Sequence, residues 1–237
     1  APSELADALA DFHPADLAEI VADLDPEDAM AALHAVPLDL VPAMFEYLDP
    51  GQRAQLIGAL PLATAATIAG QMSADERADL LGEIPEELRE SLLARMHPDD
   101  SREVARLLEY PPNCAGGLMT TEYLSFPAHL TAGELLDRIR QAAPQTESIY
   151  TAYLTSEPSH HLAGVVSLRD VLMNDPRRPA TEFMVENVVT VLPDTDQEEV
   201  ARLISKYDLI SVPVVDPQGR VLGVVTVDDV IDVLQEE

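Results

Sequence analysis

The stretch Lys206–Leu234, KYDLISVPVVDPQGRVLGVVTVDDVIDVL, decides how the chain is read. Ser211–Val215 (SVPVV) is short and β-branched, the composition of a buried strand. Asp216-Pro-Gln-Gly219 is turn chemistry, because proline presets φ and glycine tolerates a positive one. Val221–Val225 supplies a second strand. Thr226, with Asp229 three residues on, then opens a helix. The unit is therefore strand, tight turn, strand, helix.

The unit recurs upstream. Leu162-Ala-Gly-Val-Val-Ser-Leu-Arg-Asp170 matches Leu222-Gly-Val-Val-Thr-Val-Asp-Asp229. The first round reads as a helix near Thr131–Gln141, strands near Ile149–Leu154 and Ala163–Val166, and a helix from Ser167. The second adds a short strand at Val188–Val191 and a helix at Asp196–Ser205 before the quoted stretch. Two such half-sized units bury little core alone, so they are expected to pack together as one body.

Before them the pattern changes. From Pro14 to Pro98 a start signal recurs about every twelve residues: His13-Pro14, Asp25-Pro26, Val36-Pro37, Asp49-Pro50, Leu60-Pro61, Ser73-Ala-Asp75, Ile84-Pro85 and His97-Pro98. Proline is tolerated in a helix's first turn, and acids beside it suit the positive end of the helix dipole. Ser73, Asp25 and Asp49 are expected N-caps. Helices of two to three turns are marginal alone, so this half reads as an α-superhelix or, alternatively, a plain α-bundle. The Pro-Pro and Gly-Gly pairs within Tyr110–Gly117 mark a linker. The expected class is thus α + α/β, with domains at 1–115, 116–178 and 179–237.

Charge narrows the partners. The chain carries 43 acidic and 14 basic side chains, a net charge of −29, and 23 of the acids against 6 of the bases precede residue 116. That argues against nucleic acid or an anionic membrane surface, which need basic patches, and favours cations. A single cysteine, Cys114, forbids an internal disulfide and fits a reducing compartment. No run is long and apolar enough to span a bilayer, and no signal peptide is visible, so the chain is expected to be soluble.

Three kinds of site can be weighed. Ser167-x-x-Asp170 and Thr226-x-x-Asp229 are either capping boxes or places where a carboxylate meets ribose hydroxyls. Arg169 beside Asp170 offers a cation for phosphate, whereas Asp228 beside Asp229 repels it. Acid groups at Asp75, Glu76 and Asp79, at Asp196, Glu198 and Glu199, at Asp208, and at Asp228, Asp229, Asp232, Glu236 and Glu237 suit a hard divalent cation assembled between elements. No run fits an EF-hand loop. The six histidines show no zinc spacing, and no catalytic motif appears, so an enzyme is not expected.

The acidic short-helix repeat, then Ala115-Gly-Gly-Leu-Met-Thr-Thr-Glu-Tyr123, then Asp194-Thr-Asp-Gln-Glu-Glu-Val-Ala-Arg202 and Val225-Thr-Val-Asp-Asp-Val-Ile-Asp-Val233, resemble the cytosolic region of MgtE-type magnesium channels. The two repeated units resemble a tandem CBS pair. The resemblance implies a homodimer through the CBS domains and a transmembrane domain of its own beyond this chain, facing the cytoplasm. It implies Mg²⁺ bound by Asp75 and Asp79 against Asp229, and by Asp196, Glu198 and Asp208, with the Gly117 carbonyl a further ligand. It also implies ATP near Arg169 and Asp170. Two features depart from the family pattern: Ala43 stands where a carboxylate is expected, and Thr151 and Leu209 stand where aromatic residues would flank adenine. Two rival readings remain: a CBS nucleotide sensor docking onto an enzyme, and a ligand-free scaffold.

Overall fold

A computed structural model of the chain describes residues 9, 11–146 and 148–235, and it divides into two compact units, Ala1–Leu108 and Glu109–Glu237. Glu236 and Glu237 lie outside the described residues, as do the side chains of residues 232–235.

In the first unit eight described helices follow one another: α1 (Pro14–Ala22), α2 (Pro26–Ala35), α3 (Val41–Phe45), α4 (Pro50–Ala59), α5 (Leu62–Ala69), α6 (Ala74–Glu83), α7 (Glu86–Leu93) and α8 (Pro98–Leu107). From α1 through α6, each helix packs against the second helix beyond it, the stacking of a superhelix rather than a plain bundle. Met44, Phe45, Ile57, Leu80, Leu81, Leu92 and Val104 are fully buried along its axis.

Proline opens most of these helices, but Pro37 does not: α3 begins at Val41 with Pro42 in its first turn, and residues 38–40 form a turn. Asp25 caps α2 by accepting from the amides of Glu27 and Asp28, each at 3.1 Å. Ser73 and Asp49 occupy N-cap positions without a side-chain capping bond. His13 and His97 cap instead, through Nδ1, to Ala15 and Asp99.

The second unit starts before the linker signal ends. Its first helix, α9 (Ala115–Leu118), is fixed to later sequence: the Ala115 amide donates to Thr195 at 2.7 Å and the Gly116 amide to Pro193 at 2.8 Å. This docking joins residues 109–115 to the second compact unit, which begins at Glu109.

The first module comprises β1 (Leu124–Pro127), α10 (Ala132–Ala142), β2 (Thr151–Ser156), β3 (His161–Ser167) and α11 (Leu168–Met173). Strand β2 is central, parallel to β1 and antiparallel to β3. Strand β1 was not apparent from its four-residue LSFP sequence. The second module comprises α12 (Gln197–Tyr207), β4 (Ser211–Val215), β5 (Val221–Thr226) and α13 (Val227–Gln235). Its hairpin pairs Ser211 with Thr226 and Val212 with Val225. The strand expected at Val188–Val191 is reduced to one parallel bridge between Val191 and Val214.

The modules exchange edges. Thr120, preceding the first module, trades two 2.9 Å hydrogen bonds with Val224 of the second. Val185, preceding the second module, trades bonds of 3.0 and 2.8 Å with Val165 of the first. Gly223 and Gly164 permit these approaches: a Cβ would lie 2.6 Å from the Thr120 oxygen at one and 2.8 Å from the Val185 oxygen at the other.

Candidate functional site

In the first unit, helix α6 carries Asp75, Glu76, Asp79 and Glu83, with the first two in its opening turn where the helix dipole favours negative charge. Asp75 and Asp79 lie one turn apart, on one face. Asp75 is buried at 7% exposure, while Asp79 is exposed. Helix α4 brings up Arg53, itself 6% exposed. Its Nη1 donates to Glu76 Oε2 at 2.7 Å, its Nε to Glu83 Oε2 at 3.0 Å, and its Nη2 to Glu83 Oε1.

One guanidinium does not offset this many acids. Burial, opposed by Arg53 and reinforced by Asp75, Asp79 and Glu46, pushes the Glu76 carboxyl up to about 8. Desolvation by neighbouring helices, again opposed by Arg53 and reinforced by Asp75 and Glu83, moves Asp79 up to about 6. Solvent screens the exposed Asp79, and the larger displacement is that of the half-buried Glu76. Such a region favours an added cation, and its donors are hard oxygens of the kind Mg²⁺ takes. Glu46 follows α3 and acts on Glu76, so a carboxylate approaches the cluster three residues after Ala43. Arg53, Glu46 and Glu83 were not among the candidates read from the sequence, whereas Glu76 was. Only the Glu76, Asp79, Glu83 spacing on one helix hinted at them.

In the second unit, Asp196 caps α12 and accepts from the Glu198 amide at 2.9 Å. It forms a bridge with Cys114, which places Gly117 in the same neighbourhood. Gly117 is crowded by the chain itself: a Cβ would fall 2.3 Å from the Pro111 oxygen. Asp196, Glu198 and Gly117 thus gather around the α12 N-terminus. Asp208 does not join them. It is the left-handed C-cap of that helix, twelve residues on and about 18 Å away along the axis. Asp196 and Asp208 therefore cannot ligate one ion within a single chain.

Both S/T-x-x-D motifs form local caps. Thr226 Oγ1 donates to Asp229 Oδ2 at 2.6 Å, and its amide does so at 3.2 Å. Ser167 Oγ donates to Asp170 Oδ2 at 2.6 Å and accepts from the Asp170 amide at 3.0 Å. Arg169 and Asp170 are exposed. Between the modules lies a hydroxyl-lined cleft that includes Glu122, Thr151, Tyr153, Ser211 and Thr226. The buried Tyr153 hydroxyl, 2.8 Å from Ser211 Oγ, is pushed up to about 12 by burial. The cleft holds about 10 Å³, roughly one water, and neither Arg169 nor Asp170 lines it. Among the described residues no three His, Cys, Asp or Glu side chains form a ready cation cage, and no helix is long and apolar enough to cross a membrane.

Comparison with known proteins bears on these features. The family model for the MgtE intracellular N domain matches residues 12–113, and that for the CBS domain matches residues 180–236. The magnesium transporter MgtE of Thermus thermophilus is 49% identical over 140 residues, which are 59% of this chain and 31% of that protein. The chain thus matches under a third of that curated relative's length. A crystal structure of the cytosolic domain of the Mg²⁺ channel MgtE in complex with ATP superposes with a TM-score of 0.91 at 39% identity, covering 96% of this chain and 92% of that one. The soluble part of a magnesium transporter superposes with a TM-score of 0.75 at 28% identity, over 99% and 97% of the two chains.

Proposed function

Since the chain belongs to the MgtE family, we propose that it is the Mg²⁺-responsive regulatory region of a magnesium channel or transporter, lying on the cytosolic side of the membrane. The observation that carries this reading is the α6 acid face, where carboxylates crowd until two of them are driven above their ordinary pKa. Asp75 and Asp79 offer oxygen donors from the first unit, and Asp229, held by Thr226, offers one from the second. Asp196, Glu198 and the Gly117 carbonyl form a second donor group, and Asp208 belongs to a separate one. A bound divalent ion supplies charge neutralisation. Without it the acidic faces repel, and the two units are disfavoured from closing on each other.

Magnitudes suit a weak sensor. Two exposed like charges about 6 Å apart in water repel by only about 0.7 kcal/mol, so no single pair makes a switch. A chain of net charge −29 accumulates several such terms. A few weak sites present only in the closed form then shift the population by several kcal/mol, which is what a millimolar ion requires. A homodimer through the CBS pair is part of the same proposal, and it would cover apolar side chains such as the exposed Leu172 and Met173 on α11.

ATP is a second ligand on this reading, since a 39% identical relative was crystallised with it. Arg169 and Asp170, exposed in the first turn of α11 and outside that small cleft, are its proposed contacts. The test is limited proteolysis across a MgCl₂ titration. Millimolar Mg²⁺ protects the wild-type chain, and Asp75→Ala with Asp229→Ala removes that protection. Unchanged protection in the double variant defeats the interdomain assignment. Protection by ATP alone, with no effect of Mg²⁺, favours the nucleotide-sensor rival.

A further inference from the structure

Two arginines are buried in the first unit, Arg53 on α4 and Arg77 on α6, and they are used differently. Arg77, 5% exposed, donates Nε to the Ala69 carbonyl at 2.8 Å and Nη2 to the Met72 carbonyl at 2.6 Å. It closes the C-terminal end of α5, a structural task. Arg53 is buried to the same degree, yet its bonds go to carboxylates: both oxygens of Glu83 and Oε2 of Glu76. The same guanidinium acts electrostatically on Asp79.

Arginine suits that place. Its charge is permanent and its fork is rigid, so it holds two carboxylates in fixed positions without titrating. Its two holders come from the same helix that presents Asp75 and Asp79. Anything that changes the charge of the Arg53 group changes the potential at that face.

We infer that Arg53 is a tethered counter-cation that sets how strongly the α6 face attracts a divalent cation, keeping that attraction weak by supplying one positive charge from within the fold. Glu76 and Glu83 hold it there, so they oppose its effect while fixing its position. It is a positioning and affinity-setting residue, not a ligand. This rests on the reading that Asp75 and Asp79 help bind Mg²⁺.

The test is a calorimetric MgCl₂ titration of the full 237-residue chain. Arg53→Gln lowers the midpoint by at least about four-fold, the effect of removing a unit charge about 10 Å from a dication even at the dielectric of bulk water. Glu83→Gln removes an acid and raises the midpoint several-fold. Arg53→Lys keeps the charge and stays within about two-fold of wild type. The Arg53→Gln shift shrinks as NaCl is raised, because salt screens the missing charge. Arg77→Gln lowers the melting temperature without moving the midpoint. Opposite shifts cannot both come from loss of stability. If Arg53→Gln does not fold, the contrast between Glu83→Gln and Arg53→Lys decides the question. Unmoved midpoints, or shifts of the same sign in the Arg53→Gln and Glu83→Gln variants, overturn the inference while the sensor reading stands. Absence of Mg²⁺ binding by the wild type at millimolar concentration overturns both.

Discussion

Replacing Gly223 by alanine tests whether the exchanged edges hold the second unit together. A Cβ there would meet the Thr120 oxygen at 2.6 Å and the Met119 Cγ and Sδ at 2.9 Å. The side chain of Met119 could turn away, but the Thr120 carbonyl is backbone and belongs to a segment fixed at several points. That segment must move outward. The move weakens two 2.9 Å hydrogen bonds between Thr120 and Val224, worth about 1 kcal/mol each. It also opens the site of Met119, which is 2% exposed, and overpacking of this kind costs about 1–3 kcal/mol. The expected loss is about 2–4 kcal/mol. Gly164→Ala makes the equivalent clash with Val185, which is 54% exposed and easier to displace, so its loss is smaller. Urea unfolding measures both, and hydrogen exchange at the Thr120 and Val224 amides locates the change. A loss under about 0.5 kcal/mol with unchanged exchange at those amides refutes the reasoning. Because the same segment carries Gly117, the variant also weakens any Mg²⁺ response that uses its carbonyl.

Other expectations follow from local geometry. The Glu76 carboxyl sits near 8 in the fold against an ordinary 4.5, so the folded state binds the proton more tightly than the unfolded one. Its stabilising effect is full below about pH 4.5 and is lost as pH rises through 8, a change on the order of a few kcal/mol. The difference in stability between wild type and Glu76→Gln, followed from pH 5 to 9 without divalent ions, should show this slope; a flat difference contradicts it. Thr226→Ala removes the hydroxyl that donates to Asp229 Oδ2 at 2.6 Å. It should cost about 1 kcal/mol and shift the Mg²⁺ midpoint upward, and an unaltered midpoint shows that Asp229 does not depend on that hydroxyl.

What the sequence made legible was local. The hairpin Ser211–Val215 and Val221–Thr226 announces itself by β-branched runs around a turn, because strand period and turn chemistry need only neighbouring residues. Most helices of the first unit are legible through their prolines, and α6 through Ser73 and the acids after it. The exception is Pro37, where the following Leu-Asp-Leu forms a turn and the helix waits for Val41. What could not be read were long-range events. The pairing of Thr120 with Val224 joins residues about a hundred positions apart, and nothing in either segment names its partner. Arg53 meets its carboxylates 23 and 30 residues later, so the acid face could be listed but its internal cation could not. Helix length is what separates Asp196 from Asp208, a distance that a list of acidic positions conceals.

Small-angle scattering across a MgCl₂ titration tests the central claim most directly. The account predicts that the radius of gyration falls at millimolar Mg²⁺ and that Asp75→Asn with Asp229→Asn abolishes the fall, while both proteins keep the same secondary structure by circular dichroism. A wild-type radius that does not change between zero and 20 mM Mg²⁺, about the upper end of a millimolar response, contradicts it.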